Sequence, residues 1–272
     1  MRSNRFIEKS IRGFLEVLEH ALESEEIARR RGLLQSLDPR VKVLGLLALI
    51  VAAAVSRRLD VILALFGVAL VLALLSRVPL GTLASRVWIA VLVFTSLIVL
   101  PALFLTPGHI VFRLPALGWP ITAQGLQGAA YLISRVETTA TFSLLLVLST
   151  PWTHVLKALR VLRLPVVLIV ILGMTYRYIF LMIASAREMF ESRRSRMVGE
   201  LEARDRRRLA VATAGVLLSK SLQLSQDVYL AMQSRGFRGE VYVLDEFEMK
   251  PSDWGGLALF ATLAAAALWA GR

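Results

Sequence analysis

Five apolar runs govern what this chain can fold into: Val41–Val55, Leu59–Leu75, Val87–Leu105, Gly125–Ser149 and Trp254–Ala270. Runs of this kind approach the roughly 20 residues that carry a helix across about 30 Å of hydrocarbon. Inside a bilayer no water satisfies the backbone, so each run has to close its own hydrogen bonds as a helix. The rest of the composition agrees. Hydrophobic residues make up 56% of the chain, above the roughly 45–50% usual for soluble domains. Yet 32 Lys and Arg stand against 20 Asp and Glu, a net charge of +12. Those charges must sit where water is. The expectation is an all-α polytopic membrane protein with about five transmembrane helices and further long helices outside the membrane.

The same sequence removes several kinds of chemistry. With 0 cysteines there is no disulfide scaffold, thiolate metal site, iron–sulfur cluster or thiol nucleophile. His20, His109 and His154 are too far apart in sequence to form a metal box, so no metal ligand set is expected. No G-x-x-x-x-G-K-[ST] loop is present to cradle a nucleotide phosphate, and no G-x-S-x-G or H-E-x-x-H pattern suggests catalysis. Neither an enzyme nor a cofactor bound by this chain is expected. A basic chain can bind nucleic acid, but nucleic-acid modules do not carry this much hydrocarbon. The first 30 residues hold Glu16, Glu19, Glu23, Glu25 and Glu26, and lack the apolar core of a cleavable signal.

The chain divides into four segments. Residues 1–38 are amphipathic and charged, with Phe6, Phe14, Leu15, Leu18 and Leu22 at helical spacing. Residues 39–149 hold the first four apolar runs. Asp38-Pro39 opens the first as an N-cap acid followed by proline, and Lys42 is expected to snorkel to the interface. Pro101 is expected to kink the third run, and residues 106–125, rich in proline and glycine, read as a loop. Residues 150–238 mix apolar and basic character: a short helix Trp152–Arg163, a long one from Pro165 through Ala186 to Arg196, and another over Arg208–Arg235. Residues 239–272 form a polar connector and a last span.

Sixteen of the 32 Lys and Arg fall in residues 150–250 and nine in residues 1–42. Positive residues favour the cytoplasmic side, so both regions are expected there, with the four intervening spans returning the chain to the same face. Arg57-Arg58 then lies outside, against the rule. Within the fourth run, Arg135 and Glu137 stand two residues apart on different helix faces. They read either as contacts satisfied inside the bundle or as a polar seat for a partner. A self-contained secondary transporter or channel would use them as an ion path, but it should also show inverted repeats with broken helices, and none is evident.

Two helix ends resemble each other: Ser195-Arg196-Met197 and Ser234-Arg235-Gly236. Gly236 suits a left-handed C-terminal cap, followed by Phe237. An arginine in a last turn complements the helix dipole. It can also offer its planar fork to a carboxylate or backbone carbonyl on a partner.

These ends join other motifs: Gly32-Leu33-Leu34, Leu37-Asp38-Pro39-Arg40-Val41-Lys42, Leu148-Ser149-Thr150, Leu159-Arg160-Val161-Leu162-Arg163-Leu164-Pro165 and Met174-Thr175-Tyr176-Arg177-Tyr178. Together they resemble the transmembrane T component of energy-coupling-factor (ECF) transporters, in the cobalt/nickel-type CbiQ branch. The family signature is a pair of Ala-Arg-Gly or similar triplets. Ser234-Arg235-Gly236 is a near match; Ser195-Arg196-Met197 departs at two positions, and Arg193 and Arg194, one turn earlier, offer an alternative register.

The resemblance implies a non-catalytic scaffold in a prokaryotic inner membrane, multi-pass, with its N-terminus in the cytoplasm. Its partners would be two ATP-binding cassette ATPases, which hold the ATP, and a separate S component of the metal (CbiM-like) or vitamin type. The arginine-bearing ends would dock into the ATPases. Tyr176, Arg177 and Tyr178 would brace the coupling helices, and Pro165–Ala186 would lie along the interface, covered by another protein. Small residues on the Arg208–Arg235 helix would permit close helix–helix approach.

Overall fold

The computed structural model describes residues 12–13, 15–16, 26–28, 30, 32–106, 109–113, 120–161, 165–196, 202–237 and 250–272. Most of the amphipathic segment 1–38, Met197, the basic end Leu162–Leu164 and most of the polar connector lie outside these residues. Arg194 is placed in its helix, but its side chain lies outside them too.

The elements run as α1 (Leu33–Ser36), α2 (Pro39–Val55), α3 (Leu59–Leu75), α4 (Leu80–Leu83), α5 (Ile89–Leu105), α6 (Ala123–Ser149), α7 (Trp152–Val161), α8 (Val166–Arg196), α9 (Ala203–Ser234) and α10 (Pro251–Ala270). A π-helical stretch, Ala84–Trp88, joins α4 to α5, so the third apolar helix starts several residues before the sequence suggests and Arg86 lies within it. Pro101 stays inside α5. Two short strands, β1 (Ile110–Arg113) and β2 (Pro120–Thr122), pair antiparallel where only a loop is expected from the sequence. The β-branched and aromatic residues Ile110, Val111 and Phe112 favour that pairing. Among the described residues the fold is otherwise all-α, as the apolar runs require.

The chain forms two compact units, Ser24–Ala158 with Phe247–Arg272, and Met1–Glu23 with Leu159–Glu246. In the first, α6 packs against α2, α3 and α5, and α10 lies along α2. Phe142, Leu145 and Leu148 of α6 meet Leu46, Leu49, Leu65, Ala69 and Phe260 in a dry core. Gly45 is what lets α10 approach: a Cβ there would overlap the Phe260 ring. Outward-facing side chains are apolar, as a lipid-facing surface requires: Phe94, Leu97 and Ile98 of α5 are all exposed. A helix end is closed without glycine after α3. Arg77 takes a left-handed φ of 52°, and its N–H and that of Val78 return to the carbonyls of Leu74 and Ala73. That arrangement is the Schellman closure.

Among the described residues three helices are long and apolar enough to cross a bilayer: Ala123–Ser149, Val166–Arg193 and Pro251–Ala270. Leu59–Leu75 and Ile89–Pro101 are apolar but shorter. The chain is thus a polytopic membrane protein.

In the second unit α8 and α9 pack together. Lys220 Nζ of α9 donates to Ser185 Oγ of α8 at 2.9 Å, and Ala186, Phe190, Leu209 and Thr213 are buried. Leu209 and Thr213, four residues apart, set the facing stripe. The small residues divide: Ser221 and Ser225 line the groove between α8 and α9, whereas Ala210, Ala212, Ala214 and Gly215 are exposed and a Cβ at Gly215 would meet nothing within 4 Å. The helical period turns those four away from the stripe that Leu209 and Thr213 occupy, and Ser221 and Ser225 continue that stripe at four-residue spacing.

Candidate docking ends and the intramembrane polar group

Residues lower in α8 face residues higher in α9: Ile171, Tyr178 and Met182 line a groove of about 630 Å³ with Leu224, Val228 and Met232. With Ser185 bonded to Lys220, this order makes the pair antiparallel. Arg196 therefore lies at one end of the pair and Arg235 at the other. At a rise of 1.5 Å per residue the two are roughly 40 Å apart.

Each end is shaped locally. At α8, Ser195 Oγ donates to the Ser192 carbonyl at 2.8 Å, which keeps the small hydroxyl folded onto its own helix. Arg196 is exposed, while Arg193 is half-buried; both line a shallow recess with Glu188, Met189 and Ser192. At α9, Ser234 Oγ likewise returns to the Ala231 carbonyl at 2.9 Å. Gly236 has φ +83° and its N–H bonds the Gln233 carbonyl at 2.9 Å, while Phe237 N–H bonds the Met232 carbonyl at 3.1 Å. This is the glycine-closed helix end that the sequence suggests. The last carbonyls are satisfied by backbone, so the exposed Arg235 side chain is not needed to cap its own helix.

Of the tyrosine–arginine group on α8, Tyr176 meets Phe180 edge-on with ring centroids 5.0 Å apart, Tyr178 lines the groove, and Arg177 is exposed. The three residues do not act as one cluster, because successive helix positions point about 100° apart.

Arg135 and Glu137 are likewise separate. Arg135 Nη2 donates to the Ser56 carbonyl at 2.7 Å and to the Tyr131 hydroxyl, its guanidinium lying 4.5 Å from the Tyr131 ring centroid. Tyr131 also donates to Ser56. Arg135 thus ties α6 to the C-terminal end of α2. Both Glu137 oxygens are buried without a hydrogen-bond partner among the described residues. Loss of the Arg135 contacts in Arg135→Leu is expected to cost about 1–3 kcal/mol, read as a lower melting temperature of the purified chain. Transport per correctly inserted molecule should stay within about threefold of wild type, an effect under 1 kcal/mol. An ion path through Arg135 would instead abolish transport.

Lys42 overturns its expectation. It is 2% exposed and turns inward, donating through Nζ to the Ser149 carbonyl at 3.3 Å. Snorkelling is the obvious reading of a lone lysine in an apolar run. The contrary signals are Asp38 four residues earlier and Asp253 just inside the start of the last helix, both buried, whose meeting only the tertiary fold supplies.

Comparison with known proteins places the chain in a group. A family model, CbiQ, described as cobalt transport protein, matches residues 31–243. An uncharacterised protein of Methanocaldococcus jannaschii is 33% identical over 256 residues, covering 92% of this chain and 87% of that protein. The cobalt transport protein CbiQ of Rhodobacter capsulatus is 31% identical over 171 residues, covering 62% of this chain and 65% of that protein.

Proposed function

This chain belongs to the CbiQ cobalt transport protein family, and on that premise we propose that it is the membrane scaffold that couples two ATPase subunits to a separate substrate-binding subunit. The observation that carries this reading is the placement of Arg196 and Arg235. Both arginines are exposed, sit at the ends of long packed helices, and lie at opposite ends of an antiparallel pair. Two such tips roughly 40 Å apart suit two separate docking grooves better than one. A guanidinium at a tip can enter a groove and pair with a carboxylate in a fixed, forked geometry.

ATP would be held by the partners. Its binding would draw the two docked tips together, change the crossing of α8 and α9, and pass that change to the substrate-binding subunit. A ligand moves such an equilibrium only through contacts that differ between its two states. The docked tips supply that difference at one end. The exposed apolar face of α8, whose membrane-compatible window is 0% buried within the chain, offers the other, lying against the substrate-binding subunit at the interface. Tyr176, set edge-on against Phe180, braces that face, and Tyr178 braces the groove toward α9. The cargo is cobalt or nickel, chosen by the partner subunit, which is of the metal or the vitamin type. The N-terminus and the α8–α9 unit face the cytoplasm of a prokaryotic inner membrane.

The test is co-purification of the untagged chain with a pair of tagged ATP-binding cassette ATPase subunits, followed by ATP-driven cobalt(II) uptake in reconstituted vesicles. A stable complex that takes up metal only with ATP is expected. A chain that transports cobalt(II) without ATPases would replace the scaffold by a self-contained transporter.

A further inference from the structure

Lys42 brings a cationic side chain deep into the fold. It lies one turn into α2 and is 2% exposed, and an ammonium so placed costs several kcal/mol unless partners surround it. Three elements provide them. Its Nζ donates to the carbonyl of Ser149, the last residue of α6, where the helix dipole leaves partial negative charge. The carboxylates of Asp38 and Asp253 both act on it by charge. Asp253 in turn accepts the N–H of Asp38 at 2.9 Å and that of Lys250 at 2.8 Å. Asp38 accepts the N–H of Arg40 at 2.8 Å. The start of α2, the end of α6 and the start of α10 therefore meet in one charged knot.

The path of the chain beyond the knot gives it a purpose. Ser149 and Thr150 are buried. Thr150 is extended, with φ −136° and ψ 117°, as the proline after it requires. Trp152 then opens α7. The chain thus turns from α6 into α7 over the two-residue corner Thr150-Pro151, and Lys42 holds the carbonyl of the residue just before it.

Resting on the scaffold reading above, we propose that Lys42 is a positioning residue for transport: it pins the Ser149 carbonyl and so fixes the corner from which α7 departs. Motion of the helices beyond that corner is then delivered to the transport cycle. Without the pin it is absorbed by fraying of the last turn of α6. Asp38 and Asp253 serve by keeping the ammonium in place.

Two variants test this, Lys42→Met, which keeps the stem and removes the charge, and Lys42→Arg, which keeps both. In reconstituted complexes Lys42→Met is expected to assemble and hydrolyse ATP within about twofold of wild type, while cobalt(II) uptake per ATP falls about tenfold. Lys42→Arg should recover most of the ratio. In the isolated chain in lipid, a spin label on Thr153→Cys, unique because the chain has 0 cysteines, should gain a mobile spectral component with Lys42→Met and not with Lys42→Arg. An unchanged uptake-to-ATP ratio, or hydrolysis and uptake falling together, would overturn the proposal. If Lys42→Met is not recovered from membranes, Asp253→Asn removes one carboxylate charge while keeping an acceptor, and the same fall in ratio is expected; an unchanged ratio rejects the role. Should the wild-type chain fail to assemble with ATPases, the scaffold reading falls, and the label still decides whether Lys42 holds the corner.

Discussion

Reversing the charge at both helix tips, Arg196→Glu with Arg235→Glu, is expected to abolish ATPase co-purification and ATP-driven uptake while the chain still inserts and melts as wild type. Both side chains are exposed, and the α9 end is closed by the backbone N–H groups of Gly236 and Phe237. Neither substitution therefore removes a contact that the fold depends on. At an interface the balance is different. A guanidinium seated against a carboxylate becomes two like charges, and disrupting a desolvated pair of that kind costs at least about tenfold in affinity. Each single variant should weaken assembly by at least that factor. The double variant should leave no complex, since neither ATPase would retain its anchor. Arg193→Glu is expected to do less than Arg196→Glu, because Arg193 lies a turn back from the tip and is half-buried. The reverse order would move the first docking motif to Arg193 and Arg194.

The largest loss of stability is expected at Asp253. Replacement by leucine in Asp253→Leu strands the N–H groups of Asp38 and Lys250, both of which the carboxylate accepts, and takes from Lys42 one of its two counter-charges. One unsatisfied buried donor costs about 1–3 kcal/mol and the disrupted buried charge about 3 kcal/mol, the low end because Asp38 remains beside Lys42. A total of about 4–6 kcal/mol is a large part of the roughly 5–15 kcal/mol that holds a domain together. The measurement is thermal unfolding in detergent, with Asp253→Asn as the milder comparison. A melting temperature for Asp253→Leu equal to wild type would show that the knot does not hold α10 to α2.

Much of this fold is legible in the sequence because it depends on one-dimensional properties. The five apolar runs mark the helices α2, α3, α5, α6 and α10, Asp38-Pro39 marks the start of α2, where Asp38 accepts the Arg40 N–H, and Gly236 marks the end of α9. What escapes depends on partners distant in sequence. Nothing near Lys42 announces Ser149, 107 positions away, or Asp253, so a buried cation reads as an interfacial one. The alanines and Gly215 of α9 mislead for a related reason. Composition says that a close approach is possible, but only the phase of Leu209 and Thr213 decides which side faces α8. The hairpin between α5 and α6 is hidden by flanking prolines and glycines, which dominate a reading of residues 106–125. The arginine tips are visible as triplets, and their opposite placement emerges only from the antiparallel packing of α8 on α9.

The most direct measurement of the coupling role is site-specific crosslinking of the assembled complex. Ser195→Cys and Ser234→Cys place single reactive positions beside the two arginines, and Thr262→Cys, exposed on α10, serves as the membrane control. With a short photoactivatable label, both tip positions are expected to crosslink to ATPase subunits, with yields that change when ATP is added, while Thr262→Cys gives no ATPase product. Crosslinks to the ATPases from Thr262→Cys but from neither tip would contradict the docking of Arg196 and Arg235.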